Sequence, residues 1–408
     1  MHPAFSLPWE GPVNWGALAS YGHVLARRTG DRQEWWIGVG RSGRSSDYPG
    51  MGTMPWFGHA GYDLKNRFEQ LTSRHPAQDG FAASEWWIPR MVFHFRGNEA
   101  GVHIVEGEKE AGRALLEALV RRPAPPPPAI TANWVLTTPK EVYLRQVETL
   151  LAHIRRGDIY EVNYCTQRTA SLPGLNPWAL FGNLVRRTDA PFAALLRHGD
   201  HFAICASPER FLRIEGDRIL SQPMKGTRPR GASPGEDAAL AAELASDPKE
   251  RSENIMALDV ARNDLSRIAA AATVTVEELC AVKTYPNVHQ MVSTVSAGIR
   301  PGTTPADIMR ATFPMASMTG APKIRAMQLI DEVEHMRRGI YSGTMGYFLP
   351  DGTADLNVVI RTITWDAATG RASLITGGAI TAGSDPESEF RECEHKAASV
   401  LNALGHAG

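Results

Sequence analysis

Cysteine is scarce in this chain, neither sign of charge is in excess, and no long apolar run occurs. Each shortage removes a class of protein. The four cysteines, Cys165, Cys205, Cys280 and Cys393, are scattered through 408 residues with no Cys-x-x-Cys pair. Neither a zinc site nor a disulfide framework is expected from them, and a reducing cytoplasm fits best. The formal net charge is -1. It gives no electrostatic reason to expect nucleic acid or an anionic membrane as a partner. The longer apolar stretches are interrupted by charge, so no transmembrane helix is expected. The opening residues, MHPAFSLPWEGPVNW, have neither a basic start nor an apolar signal core. Runs such as Gly38-Val39-Gly40 have no strand–helix–strand context, which argues against a dinucleotide fold.

What is present is an ordinary globular composition, 43% hydrophobic and 21% charged, long enough for a large core. Proline is concentrated at Pro123 and Pro125 to Pro128. Consecutive prolines are stiff and extended and join neither helices nor central strands. Residues 121–130 therefore read as a connector between a strand-rich, aromatic region, 1–120, and a mixed helix–strand region, 131–408. The second region opens with a helix, in which Thr138 is placed to cap, Pro139 suits the first turn, and Tyr143, Val147, Leu150 and Ile154 share one face. Further helices are predicted over 249–270, 322–336 and 386–404. Strands are predicted at 159–164, 202–206, 343–349, 356–364 and 372–376, with a hairpin around Gly216-Asp217. Several strands follow one another without helices between, which favours an α+β fold with largely antiparallel sheets.

Lys225 lies in Ser221-Gln222-Pro223-Met224-Lys225-Gly226-Thr227-Arg228, stiffened by a proline and turned by a glycine. A lysine in a turn is usually a solvated surface group. Held beside a glycine and a threonine hydroxyl, it can instead bind an anion, or attack carbon once its pKa is lowered. Glu250 and Glu253 are three apart on one predicted helix, and Glu389 and Glu392 on another, so each pair shares a face. One such pair is usually a solvated acidic surface. Two facing pairs would make an oxygen-rich shell suited to Mg²⁺, with Lys396 near the second face. The glycines of Ile375-Thr376-Gly377-Gly378-Ala379 would let a carboxylate approach the backbone. Tyr347 and Arg361 fall on neighbouring predicted strands. Arg361, among Val358, Val359, Ile360 and Ile363, is either exposed on an alternating strand or bound to an anion. Glu209 follows an apolar strand and is either a strand-end ion pair or a buried acid of raised pKa. His289 is either a site residue or a satisfied core histidine.

These segments resemble the chorismate-utilising enzymes, a family that includes the large subunit of anthranilate synthase, aminodeoxychorismate synthase component I, isochorismate synthase and salicylate synthase. The resemblance rests on GDIYEVNYC, SPERFL, QPMKGTRPRG, DPKERSENIMALDVARNDLSRI, VHQMVSTV, TFPMASMTGAPKIRAM, YSGTMGYF, NVVIRT and SDPESEFRECEHKA, in that order. It implies two orthogonally packed, largely antiparallel sheets with flanking helices. It also implies Mg²⁺ on Glu253 and Glu392, with Glu250 and Glu389 acting mainly through water. Arg361, Tyr347, Gly377 and Gly378 would hold the pyruvyl carboxylate of chorismate, and Lys396 with the metal the ring carboxylate. Glu209 would protonate the departing hydroxyl, and His289 would line the ring.

The position of Lys225 separates the branches. Anthranilate and isochorismate synthases carry alanine there, whereas aminodeoxychorismate synthases carry lysine, which is expected to be uncharged and to attack C2 of chorismate. The resemblance thus implies amination at C4 for p-aminobenzoate and folate synthesis, with Thr227 beside the nucleophile. The alternatives are anthranilate synthase component I and a noncatalytic chorismate binder. Residues 1–130 show no fused amidotransferase and no cysteine. A separate glutamine amidotransferase subunit is therefore expected to supply ammonia. Glu161 departs from the lysine or glutamine of relatives, and Ala379 from a glycine. Gly22 to Arg28 does not reproduce the Leu-Leu-Glu-Ser motif of tryptophan-inhibited relatives, so no tryptophan feedback is expected.

Overall fold

The computed structural model describes residues 1–30, 34–43, 45–50, 52–123 and 132–404. Residues 124–130 of the expected connector lie outside the described residues. The fold is α+β, built on two sheets of twelve and ten described strands. The pairings in both sheets are antiparallel.

Strands from before and after the proline run are interleaved in each sheet. His23–Arg28 pairs with Phe192–His198 in the first, and Trp56–Ala60 pairs with Thr344–Phe348 in the second. A buried cluster that includes Leu25, Phe57, Trp87, Ala194, Leu196 and Tyr347 draws on both sheets. Arg27 of the first sheet binds Asp355 of the second at 2.8 Å, and Arg210 takes the other Asp355 oxygen at 3.0 Å. A fully desolvated charge is tolerated only when paired in this way.

Two long helices carry the glutamates. Pro248–Ser266 starts where the Asp247 side chain accepts from the backbone N–H groups of Lys249 and Glu250. Its buried stripe, Glu253, Asn254, Ala257, Leu258, Ala261 and Leu265, follows helical spacing. Pro386–Leu401 is capped by Asp385 and buries Glu389, Phe390, Cys393, Ala397 and Val400.

The predicted helices recur as Lys140–Arg155, Pro248–Ser266, Lys323–Val333 and Pro386–Leu401. Thr138 does not cap the first of these, since Pro139 stands at the cap position without a side-chain bond. The strand predicted over 356–364 is broken into Ala354–Asn357 and Thr362–Asp366. Arg361 in the gap has φ +53°, a left-handed conformation that interrupts a strand. The helices Lys109–Val120, Pro177–Thr188 and Pro234–Ser246 were not predicted.

Candidate active site

A bulge aims Lys225. Strand Met224–Pro229 pairs with Val288–Gly298, and the register slips between Met224↔Val292 and Thr227↔Gln290, so Lys225 and Gly226 together oppose one residue. Gly226 has φ +79°, and a Cβ there would lie 3.0 Å from Glu250 Oε2, so only glycine suits the position. The bulge brings Lys225 Nζ to 2.7 Å from Glu161 Oε1, at the start of strand Glu161–Ser171.

Burial works to lower the pKa of Lys225, but the carboxylates of Glu161, Glu253 and Glu209 outweigh it and hold the pKa above its ordinary value. This corrects the expectation of an uncharged amine, because the lysine stands among carboxylates rather than beside a cation.

Lys225 lines a cavity of about 540 Å³ together with Glu209, Thr227, Glu250, Glu253, Arg361, Gly377, Glu392 and Lys396. The volume suits a small organic ligand. Burial pushes Glu209 up to about 7, with Ser317, the Lys225 ammonium and the Met224 backbone opposing. Glu209 therefore retains a proton near neutrality. Thr227 donates to Gln290, whose amide donates in turn to the Gly226 carbonyl, bracing the bulge.

The glutamates face one another across the two helices. Lys249 Nζ lies 3.0 Å from Glu389 Oε1 and 3.8 Å from Glu253 Oε1, so its ammonium links the pairs. Burial raises Glu253 to about 7. Glu250 is raised by burial and by the charge of Glu392, while Arg228 opposes from 3.4 Å. The Glu392 side chain is about half exposed, and although desolvation works to raise its pKa, Lys396, Lys249 and Lys225 together bring it below the ordinary value. Lys396 binds Glu392 at 2.5 Å and donates to the Gly377 carbonyl at 2.8 Å.

Two buried carboxylate oxygens, Glu253 Oε1 and Glu389 Oε2, have no hydrogen-bond partner among the described residues. Such orphaned acceptors are what a hard divalent cation would satisfy, so the donor set fits Mg²⁺. The four carboxylates are nevertheless not gathered into a closed shell. Among the described residues, only His23, Glu85 and His198 bring three ligand atoms within 4.8 Å of one another.

The glycine strand borders the same space. Arg371–Thr381 pairs along its whole length with Glu161–Ser171, but its other edge pairs with Thr362–Asp366 only as far as Leu374. Among the described residues the far edge from Ile375 onward is therefore unpaired, and alternate backbone groups point away from the paired strand. A Cβ at Gly378 would lie 3.3 Å from Glu389 Oε2 and 3.9 Å from Lys396 Nζ. Side chain would thus displace the groups that meet there.

Two expected residues are placed elsewhere. Tyr347 is buried between the rings of Trp36 and Phe57 and does not line the cavity, whereas Tyr341 does. His289 is buried with both ring nitrogens engaged, Nδ1 with Thr284 at 3.0 Å and Nε2 with Asp237 at 2.9 Å, and it is not part of the lining. It is the satisfied core histidine. Arg361 reaches the cavity from its left-handed position, with Nη1 on Ser399 at 2.6 Å.

The sequence reading did not single out Lys249, Gln290, Tyr341 or the buried Glu334–Arg338 pair. Arg338 donates to Glu334 at 2.6 Å and to the carbonyls of Asn163 and Met318, while Glu334 accepts from Cys165 N–H. This pair fixes the strand that carries Glu161. Its only sequence signal is an i,i+4 spacing, which many exposed pairs share.

The cavity is ringed by glutamates, lysines and a glycine-rich strand, and residues from both antiparallel sheets line it. The chain belongs to the chorismate binding enzyme family, whose model matches residues 15–402. It is 40% identical over 87% of its length to an aminodeoxychorismate synthase of Streptomyces griseus, of which it spans 50%. It is 37% identical to aminodeoxychorismate synthase component 1 of Klebsiella aerogenes, covering 86% of this chain and 78% of that one. It is also 37% identical to anthranilate synthase component 1 of Thermus thermophilus, covering 85% and 76%. Among solved structures, anthranilate synthase component I from Streptococcus pneumoniae superposes with a TM-score of 0.75 at 25% identity, covering 98% of this chain and 91% of that one. The isochorismate synthase MenF of Escherichia coli gives 0.80 at 18% identity, covering 99% and 95%, a likeness of fold. Among the described residues no helix is long and apolar enough to cross a membrane.

Proposed function

We propose that this chain is an aminodeoxychorismate synthase component I, converting chorismate and ammonia to 4-amino-4-deoxychorismate and water through an adduct on Lys225. The observation that carries this reading is a lysine aimed into the cavity by a glycine bulge, beside a buried acid that keeps its proton near neutrality. Relatives named aminodeoxychorismate synthase support it.

Lys225 gives up a proton, with Glu161 as the acceptor already in hydrogen-bond contact. Its lone pair adds to C2, the two ring double bonds each shift toward C4, and the C4–O bond breaks. Glu209 supplies a proton, so the hydroxyl leaves as water. Ammonia then adds at C4, the double bonds return, and the C2–N bond to Lys225 breaks. The covalent route divides one substitution into two easier ones and directs nitrogen to C4. Arg361 and the unpaired edge at Gly377 and Gly378 would bind one substrate carboxylate, and Lys396 the other. Glu253 and Glu392, with Glu250 and Glu389 behind them, would hold Mg²⁺, which supplies positive charge to an anionic ligand. The "component 1" in relatives' names supports a second subunit, read here as a glutamine amidotransferase that delivers ammonia.

The test is product identity by mass analysis with chorismate, Mg²⁺ and ammonium. A product aminated at C4 that retains the pyruvyl group supports the reading. Anthranilate formed directly favours the second reading, which the Thermus thermophilus relative supports. Chorismate binding without turnover at high ammonium would mean a noncatalytic binder.

A further inference from the structure

A second cluster of ligating side chains lies outside the cavity, where the two sheets approach each other. His23 opens strand His23–Arg28, and His198 closes strand Phe192–His198 directly opposite it in register. Their ring centroids are 4.6 Å apart. Glu85 comes from the other sheet, on strand Ser84–Trp87, and its Oε2 lies 2.7 Å from His198 Nδ1. A ligand atom from each of the three falls within 4.8 Å of the other two. His23 Nε2 is buried without a hydrogen-bond partner among the described residues. An orphaned imidazole nitrogen in such a place calls for an explanation.

The backbone holds this geometry. Gly40 N–H donates to the His23 carbonyl at 2.9 Å, and Gly199 N–H donates to the Gly22 carbonyl at 2.8 Å. The Trp87 ring packs edge-on against His23 at 6.1 Å.

We propose that His23, Glu85 and His198 form a binding site for a divalent transition-metal ion, Zn²⁺ by chemical preference, which ties the first sheet to the second. Two imidazoles and one carboxylate suit Zn²⁺ and leave a position for water. Mg²⁺ prefers oxygen, so it does not compete here. Arg41 engages the other Glu85 oxygen, Oε1, at 3.1 Å. Its charge weakens the site, and its hydrogen bond orients the carboxylate so that Oε2 faces the rings. Metal entry would replace the His198–Glu85 hydrogen bond, with the ion taking His198 Nδ1 and Glu85 Oε2. The glutamate side chain is 14% and the His198 side chain 33% exposed, so an ion can reach them from solvent.

The test uses the whole protein, stripped with EDTA and dialysed against Zn²⁺ with Mg²⁺ in excess to occupy the glutamates. Atomic emission and calorimetry are expected to give one Zn²⁺ per chain, with a melting midpoint that rises with Zn²⁺. His23→Ala and His198→Ala are each expected to weaken binding at least about tenfold. Glu253→Gln with Glu392→Gln is expected to leave the Zn²⁺ count unchanged. Melting in EDTA checks that the histidine variants fold, and His198→Gln, which keeps a partner for Glu85, provides a second loss-of-ligand variant. No retained Zn²⁺ in the parent would overturn the site. So would equal Zn²⁺ retention by folded histidine variants.

Discussion

Lys225 Nζ donates to Glu161 Oε1 at 2.7 Å, with 10% and 4% of the two side chains exposed. Breaking a buried pair by removing one partner costs about 3–5 kcal/mol, because the other charge is left stranded. Lys225→Ala is therefore expected to lower the melting midpoint, and adding Glu161→Gln to recover most of the loss. In both variants C4 amination, followed by product mass, should disappear while chorismate binding by calorimetry persists. Full activity in Lys225→Ala would end the covalent role.

The ionisation of Lys225 is separately measurable. Glu161 is the first of the charges that raise its pKa. Glu161→Gln removes that charge, so the amine should lose its proton at lower pH, by about one pH unit or more. Reductive methylation of Lys225, mapped by peptide mass across pH, reads this directly. An unchanged profile would mean that Glu161 does not hold the ammonium.

Glu209 links stability to pH with a defined sign. Its pKa rises from an ordinary 4.5 to about 7 on folding. Between those values the native state holds a proton that the unfolded chain has lost, so this group lowers stability as pH rises through that window. Glu209→Gln, always neutral, should be more stable than the parent at pH 8, by up to about 3 kcal/mol, and indistinguishable from it near pH 4. Its turnover should fall by about 10²–10⁴ if Glu209 delivers the proton. Thermal melts at the two pH values and steady-state rates check both halves.

Lys249 stands between Glu253 and Glu389. It neutralises part of the charge that would attract a cation. Lys249→Met should bind Mg²⁺ more tightly by calorimetry, by about tenfold, and melt lower than the parent in EDTA but not in Mg²⁺. Unchanged Mg²⁺ affinity would show that the ammonium does not compete. EDTA treatment of the parent should abolish turnover, and restored Mg²⁺ should return it.

Much of the site was legible because its signals are local. The i,i+3 glutamates, the Pro and Asp at helix starts and the glycine after Lys225 are each read within a few residues, and the helices and the bulge form where those residues stand. What escaped depends on partners distant in sequence. Lys225 reads as an amine with a lowered pKa until Glu161, sixty-four residues away, is seen to hold it. His289 is ambiguous until Asp237 is found on its Nε2. Tyr347 and Tyr341 lie in one short segment, and only the pleat and the break before Thr344 decide which ring faces the cavity. Arg361 sits in an apolar run that reads as strand, and a single left-handed residue breaks it.

The splicing of early and late strands into common sheets governs how the molecule can be divided. A fragment beginning at residue 132 would lose His23–Arg28 from beside Phe192–His198 and Trp56–Ala60 from beside Thr344–Phe348. Both remaining strands would then present bare apolar edges, which are templates for aggregation. The region after the prolines is thus no transplantable module, because strands from the aromatic region before them close both of those edges.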